Sequence, residues 1–225
     1  MSGLYMKPMK EKRKASEIRI SNALNRASQR LTLSEKRIIS VVLKAIDRPL
    51  KEGEIFKSMV KPSDIIELSG ISKTAAYTEL KAAEEKLWKR EISWSWTEFL
   101  EDGDPQRVKR RWIVGVDYFN SELTVYLNPL LNKHISQLKE RFTVYELDKV
   151  GKFKSINTWR LYELLRQERT RGKLLISIDA FRLALDIDPE KYKQFYDLEK
   201  RVIRPALEEL LQKNGQSIQF EKIKD

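Results

Sequence analysis

The densest group of chemistry-bearing side chains lies near the C-terminus: Lys191, Lys193, Gln194, Asp197, Lys200, Arg201 and Arg204. They fall at or near the face opposite an apolar stripe, Phe195, Leu198, Val202, Ala206 and Leu210, whose spacing is helical. Ammonium and guanidinium donors pair with guanine O6 and N7, and a glutamine amide pairs with adenine N6 and N7. The set therefore suits base edges or phosphates. A smaller group, Lys73, Thr74, Tyr77 and Lys81, borders a second helical stripe of Ala76, Leu80, Ala83 and Leu87. A third, Arg107, Lys109, Arg110 and Arg111, sits in a β-prone stretch after the turn-rich Glu101–Pro105. Phosphate contact is one reading of this third group. The other is a solvated hairpin edge whose charges discourage edge-to-edge pairing.

Composition narrows the chemistry. The 225 residues carry Lys+Arg 44 against Asp+Glu 33, a formal net charge of +11, as suits a chain that displaces counterions from a polyanion. With no cysteine, disulfides, thiolate nucleophiles and cysteine-based zinc sites are excluded. With one histidine, His134, paired-histidine metal sites are excluded, and with them the nickase chemistry that eight tyrosines could otherwise suggest. His134 lies on a polar stretch and reads as a surface residue without a role. No cofactor or metal is implied. No apolar run approaches the roughly 20 residues of a membrane span, and the basic N-terminus lacks the apolar core of a secretory signal. A reducing, soluble compartment is expected.

The elements that must position these groups follow from periodicity. Residues 1–17 read as a flexible basic arm in which Lys10, Lys12, Arg13 and Lys14 are either solvated or on phosphate. Helices are expected over Ser21–Arg30 and Ser34–Ile46, the latter capped by Ser34, and a strand over Ile55–Val60. Pro62–Asp64 opens a short helix, Gly70 turns the chain, and a longer helix starts near Ser72–Thr74. The period then changes to two, giving a three-stranded meander: Ile92–Trp96, Val108–Tyr118 and Leu123–Leu127. Asn128 or Pro129 opens a helix through Leu138. Beyond it the plan recurs: helices Tyr145–Phe153 and Ile156–Gln167, a strand Leu174–Ile178, a helix Ala180–Leu185 capped by Asp179, a turn at Asp188–Pro189, a long helix kinked at Pro205, and a strand Gln216–Ile223.

Helix, turn, longer helix and strand, met twice, describe a winged helix, which lays its second helix in the major groove. The fold class is α+β, mainly helical, with two tandem winged-helix domains related by internal duplication. The N-terminal domain is placed at 18–140 and the C-terminal domain at 141–225. The first meander completes a wing, with Arg107 to Arg111 at its base or tip. The second has a single strand, which favours a truncated chain over a strand paired elsewhere.

Three segments carry a family resemblance: NALNRASQRLTLSEKRIISVVLKAI, INTWRLYELLRQERTRGKLLISIDAFRLALDI with Arg160–Leu165 at its centre, and YKQFYDLEKRVIRPALEELLQKN with Arg204–Ala206. In order, across nearly the whole chain, they resemble plasmid replication initiators of the iteron-binding Rep_3 family. The resemblance implies two winged-helix domains on direct repeats of an origin in the bacterial cytoplasm. Base reading would fall on Lys191 to Arg204, with backbone contacts on the first wing and around Lys73. It also implies homodimers through the N-terminal domain, repression of the protein's own gene, and recruitment of host initiator and replicative helicase. The missing second-wing strand departs from the family pattern. A winged-helix repressor without an initiation role is the competing reading; direct repeats beside the gene favour the first, a lone inverted repeat the second.

Overall fold

The computed structural model describes residues 16–95, 107–136 and 142–223. The arm up to residue 15, Trp96, the Glu101–Pro105 turn and Leu138 lie outside the described residues.

The first winged helix is built in the expected order. Helix α2, Leu33–Lys44, is capped by Thr32 rather than Ser34, because Thr32 Oγ1 accepts from the Glu35 N–H while the Glu35 carboxylate accepts from the Thr32 N–H at 2.8 Å. Strand β2, Lys57–Val60, leads into α3, Pro62–Ser69, whose proline occupies a first-turn position that needs no N–H donor. Gly70 ends α3 at φ +71°, a conformation open to glycine, and Ser72 caps α4, Lys73–Leu87. Ala76, Leu80, Ala83 and Leu87 are buried as the spacing predicts. Strands β5, Ile113–Phe119, and β6, Glu122–Leu127, form a hairpin closed by Asn120 and Ser121, both at positive φ, as a two-residue turn between twisted strands requires. The sheet order β2-β6-β5 is that of a winged helix.

The meander is two separate ladders, which corrects the expected single wing. Strands β3, Glu91–Ser95, and β4, Arg107–Arg111, pair with one another, while β5 pairs with β6. Between them Trp112 bends the chain and buries its ring, donating from Nε1 to Gln29 O at 3.0 Å. The hairpin β3–β4 is thus inserted between α4 and the true wing, and Arg107, Lys109, Arg110 and Arg111 lie on it rather than on the wing.

A strand that periodicity missed, β1 (Glu17–Ser21), pairs antiparallel with β7 (Phe142–Glu146). The stretch expected as a helix from Tyr145 is therefore strand followed by a short 3-10 turn, Leu147–Lys149. This ladder joins residues on both sides of the expected boundary after 140. Helix α1 is only Asn22–Arg26, and α6, Ile156–Gln167, matches its expected limits.

The remaining elements are α7 (Ile178–Ala184), α8 (Phe195–Leu198), a π-helical segment (Glu199–Ile203) and α9 (Arg204–Asn214). Ser177, not Asp179, caps α7. The kink expected at Pro205 takes the form of that π segment: the Arg204 N–H bonds to Glu199 O, five residues back, and the widened turn makes room for the proline ring. Neither Leu174–Ile178 nor Gln216–Ile223 is a strand, since neither has a ladder partner among the described residues.

Helix α6 is buried on nearly every side, and two of its charged members, Arg160 and Glu163, are 1 % and 0 % exposed. Arg160 donates to Ala184 O at 3.0 Å, to Asn25 O at 2.6 Å, to Ala27 O at 3.0 Å, and to Glu163. Glu163 also receives Lys36 Nζ at 2.8 Å and the Tyr145 hydroxyl at 2.5 Å. Burial pushes the Glu163 carboxyl upward, but Lys36 and Arg160 outweigh it and hold the group below the usual carboxylate range. Burial, aided by Arg160, lowers Lys36 to about 8 although Glu163 opposes it. Truncating one member of a buried ionic set leaves the others uncompensated. Arg160→Ala should therefore destabilise the fold by about 3–5 kcal/mol in urea unfolding.

His134 sits on α5, Asn132–Ile135, and is buried rather than on the surface. Its Nδ1 lies 2.9 Å from Ser21 Oγ, and its ring meets Trp94 edge-on at 5.1 Å. Burial, reinforced by the charge of Lys133, lowers its pKa to about 4 from 6.5. Between those values the unfolded chain binds a proton that the folded chain refuses, so stability must fall as pH drops from about 6.5 toward 4. The contribution is about 3 kcal/mol in all. Thermal unfolding across that range should show the loss, and the difference between wild type and His134→Gln isolates it from the carboxylates.

Candidate nucleic-acid interface

In the first module Lys73, Thr74 and Lys81 are exposed on α4 and Tyr77 is half-buried beside them. The Lys73 ammonium lies 5.9 Å from the Tyr77 ring centroid. The opposite side of α4 is anchored by Arg37, which reaches Glu79 at 3.7 Å and donates to Phe153 O at 2.9 Å. With that side fixed, the Lys73–Lys81 face is held outward as one rigid surface.

The second cluster divides. Lys191, Lys193 and Gln194 precede the helix, in an irregular segment, because α8 begins only at Phe195 rather than at the Asp188–Pro189 turn. What holds that segment is Arg182 on α7. Its guanidinium donates to Tyr192 O at 3.0 Å, to Asp188 O and Pro189 O at 3.2 Å, and to Lys191 O. One side chain thus satisfies carbonyls around the whole helix–turn–helix turn. Lys200, Arg201 and Arg204 are exposed on the π segment and the start of α9, with Asp197 half-buried beside them. Leu198, Val202, Ala206 and Leu210 are buried as expected, and Phe195 is half-buried. Phe195 stacks on Phe220 of the C-terminal segment at 6.1 Å.

The cations on this face have only weak commitments. Arg201 lies 3.9 Å from Asp197, Arg204 pairs with Glu199, and Lys193 pairs with Glu190 at 2.7 Å, all at the surface. Exposed pairs contribute about 0–1 kcal/mol, so a phosphate or base edge can replace the carboxylate at little cost. Lys200 sits 5.7 Å from the ring of Tyr196, an aromatic 67 % exposed that periodicity had not singled out.

The third cluster, on β4, is more engaged. Lys109 bonds Glu91 across the hairpin at 2.6 Å and holds that carboxyl below its ordinary range. Arg111 lies 4.9 Å over Trp88, and Arg110 is exposed. The side chain of Arg107 lies outside the described residues. The wing itself carries Asp117, bonded to the Tyr126 hydroxyl at 2.8 Å, and Glu122, so its charge is not basic.

Sequence reasoning missed Arg160, Glu163, Arg182 and Asp186, which hold the modules and their turn. For the first two a signal existed: two opposite charges three residues apart inside the otherwise apolar Trp159–Leu165 run imply a buried pair. Nothing local marks Arg182, whose partners are backbone carbonyls, or Asp186, whose partners at Ser28 to Arg30 are brought near by the fold.

Two helix–turn–helix modules in one basic chain, the first with a β-wing, define a tandem winged-helix nucleic-acid binder. Residues 17–166 match the family described as Initiator Replication protein, WH1, and residues 177–225 the one described as Initiator Rep protein, WH2. The chain belongs to this family of replication initiators. A crystal structure of Pi initiator protein in complex with iteron DNA is similar at 25% identity, covering 89% of this chain and 88% of that one, with a TM-score of 0.71. The WH1 domain of a replication protein isolated from a multiple sclerosis patient is similar at 22% identity over 46% of this chain and 78% of that one, with a TM-score of 0.35. No curated protein matches the chain by sequence.

If Lys200 and Arg201 reach base edges, Lys200→Ala and Arg201→Ala should each weaken binding to a selected duplex by about 1–3 kcal/mol and leave random DNA nearly unaffected. Arg110→Ala should lower binding to both and reduce the salt slope by about one unit. Fluorescence anisotropy on both duplexes over a salt series measures this, and equal losses for all three variants would overturn the assignment.

Proposed function

We propose that this initiator binds directly repeated sites, iterons, in a plasmid origin, one chain per repeat. The observation that carries the reading is the pairing of two non-identical helix–turn–helix modules, each presenting exposed cations on its second helix, in one chain of net charge +11. The similarity across 89% of the chain to an initiator solved on iteron DNA supports it. Major-groove segments on one face of a duplex lie about 10 bp apart, so two joined modules span about two turns of an asymmetric site. Asymmetric modules suit direct repeats, whereas a symmetric dimer suits a palindrome.

In this reading Lys191, Lys193, Gln194, Asp197, Lys200, Arg201 and Arg204 read bases with the second module. Lys73, Thr74, Tyr77 and Lys81 engage the other half of the repeat. Arg107, Lys109, Arg110 and Arg111 hold phosphates from the inserted hairpin. Opening the origin uses binding energy from several occupied repeats to strain neighbouring A·T-rich DNA, which deforms readily, and this chain catalyses nothing itself. Host initiator and replicative helicase then act on the opened strands. A homodimer through the N-terminal module represses the initiator's own gene. No helix among the described residues is long and apolar enough to cross a membrane, and the protein acts on plasmid DNA in the bacterial cytoplasm.

Selection of duplexes from a random library, followed by footprinting across a salt series, tests this. An asymmetric protected site of about two turns with a steep salt slope is expected. A short palindrome would instead assign the protein as a dimeric repressor, and no sequence preference would overturn the reading of bases by either module.

A further inference from the structure

We propose that Asp186 is a positioning residue that fixes the spacing at which the two modules meet DNA, an inference that rests on the reading that both modules occupy one site. Asp186 lies just after α7, at the helix–turn–helix turn of the second module, with φ +56°. Its carboxylate accepts the Gln29 N–H at 3.1 Å, the Arg30 N–H at 2.7 Å and the Ser28 hydroxyl, more than 150 residues away in sequence. Two successive backbone N–H groups converge there on one oxygen, a small anion-binding nest into which Arg30 turns at φ +49°.

Both ends of this contact are anchored. Ser28 exchanges two backbone hydrogen bonds with Ser93 of β3, at 3.0 and 2.9 Å, and Gln29 O accepts from the Trp112 indole. The nest is therefore a seat on the first module. On the other side the Ile187 N–H bonds to Arg182 O at 2.9 Å, and the Arg182 guanidinium clamps the turn leading to α8. The remaining attachments of the second module have fewer directed bonds: Glu209 of α9 accepts a single one, from the Lys154 N–H at 2.6 Å. Leu210 and Ala206 of α9 belong to the apolar core it shares with α6, and such packing has no directional preference. Arg160 contributes one bond, to Ala184 O. A carboxylate held by three donors is directional, and these bonds weaken steeply once angle or distance departs from the ideal. One added base pair would move the second module by about 3.4 Å along the duplex and about 35° around it, far outside that tolerance.

The test uses the full chain and a duplex selected by it in vitro, with one base pair inserted between the two footprinted segments. The ratio of Kd for inserted and original duplex is measured for wild type, Asp186→Asn and Ser28→Ala. Asparagine accepts positive φ, so Asp186→Asn removes charge and one acceptor without backbone strain; Ser28→Ala removes one donor and decides the matter if the first variant does not fold. Wild type should lose about tenfold or more on insertion, Asp186→Asn about threefold or less, and Ser28→Ala an intermediate amount. Equal insertion penalties for wild type and both variants, with two segments still protected, would overturn the role of Asp186 while leaving the two-module reading intact. A wild type indifferent to the insertion, or protecting one segment only, would overturn both.

Discussion

Much of the molecule depends on a single buried arrangement, the ionic cluster of Arg160, Glu163 and Lys36. These groups come from α6 and α2, and their remaining partners lie on α1 and the chain just after it, on α7 and on β7. Burying three charges costs several kcal/mol per ion, and the cluster is tolerable only because each charge meets others and each guanidinium nitrogen finds an acceptor. Such a cluster adds little net stability compared with an apolar core of the same volume. Its consequence is geometric: sliding α1 against α6 would leave a guanidinium nitrogen without its acceptors in a dry interior, and moving α7 would cost the Arg160 Nε its one acceptor. That penalty fixes the first module's α1 to α6, while the second module's α7 is tied to the cluster by one bond, from Arg160 to Ala184 O.

From that frame the two candidate surfaces acquire different characters. The first module is a complete winged helix with a three-stranded sheet, and its α4 is braced from behind by Arg37. The second relies on helices alone among the described residues. Its helix–turn–helix turn is held by Arg182, and its second helix passes through a π segment that resolves the conflict created by Pro205. That widened turn carries Lys200 and Arg201 outward while Val202 and Ile203 stay buried. The second surface is thus shaped by one helix irregularity and one arginine, where the first is shaped by a sheet.

Much of this was legible in the sequence because amphipathic spacing is a local property. The α4 stripe, the limits of α6, the Leu198–Leu210 stripe and the Gly70 turn all follow from periodicity and turn chemistry within a dozen residues. The family followed from longer segments kept in order. Errors arose where a partner distant in sequence decides the outcome. Tyr145 became strand because β1 offered it a ladder, while Leu174–Ile178 stayed irregular for want of one. Splitting the meander required knowing that Trp112 would bury its ring beside Gln29. His134, on a polar stretch, was drawn into the interior by Ser21 and Trp94.

By itself, then, the sequence determined which faces are apolar, the start of α4 and the limits of α6, the surplus of positive charge, and membership of the initiator family. Those properties depend on neighbours a few residues apart. Only the tertiary structure decided which cations remain weakly committed at the surface, that the basic run at 107–111 lies on an inserted hairpin, and how the modules are joined. Asp186, Arg182 and Arg160 act largely through backbone carbonyls and N–H groups, which nearly every residue carries. No pattern of side-chain types announces such partners; they become specific only when folding brings one particular stretch of backbone within hydrogen-bonding distance.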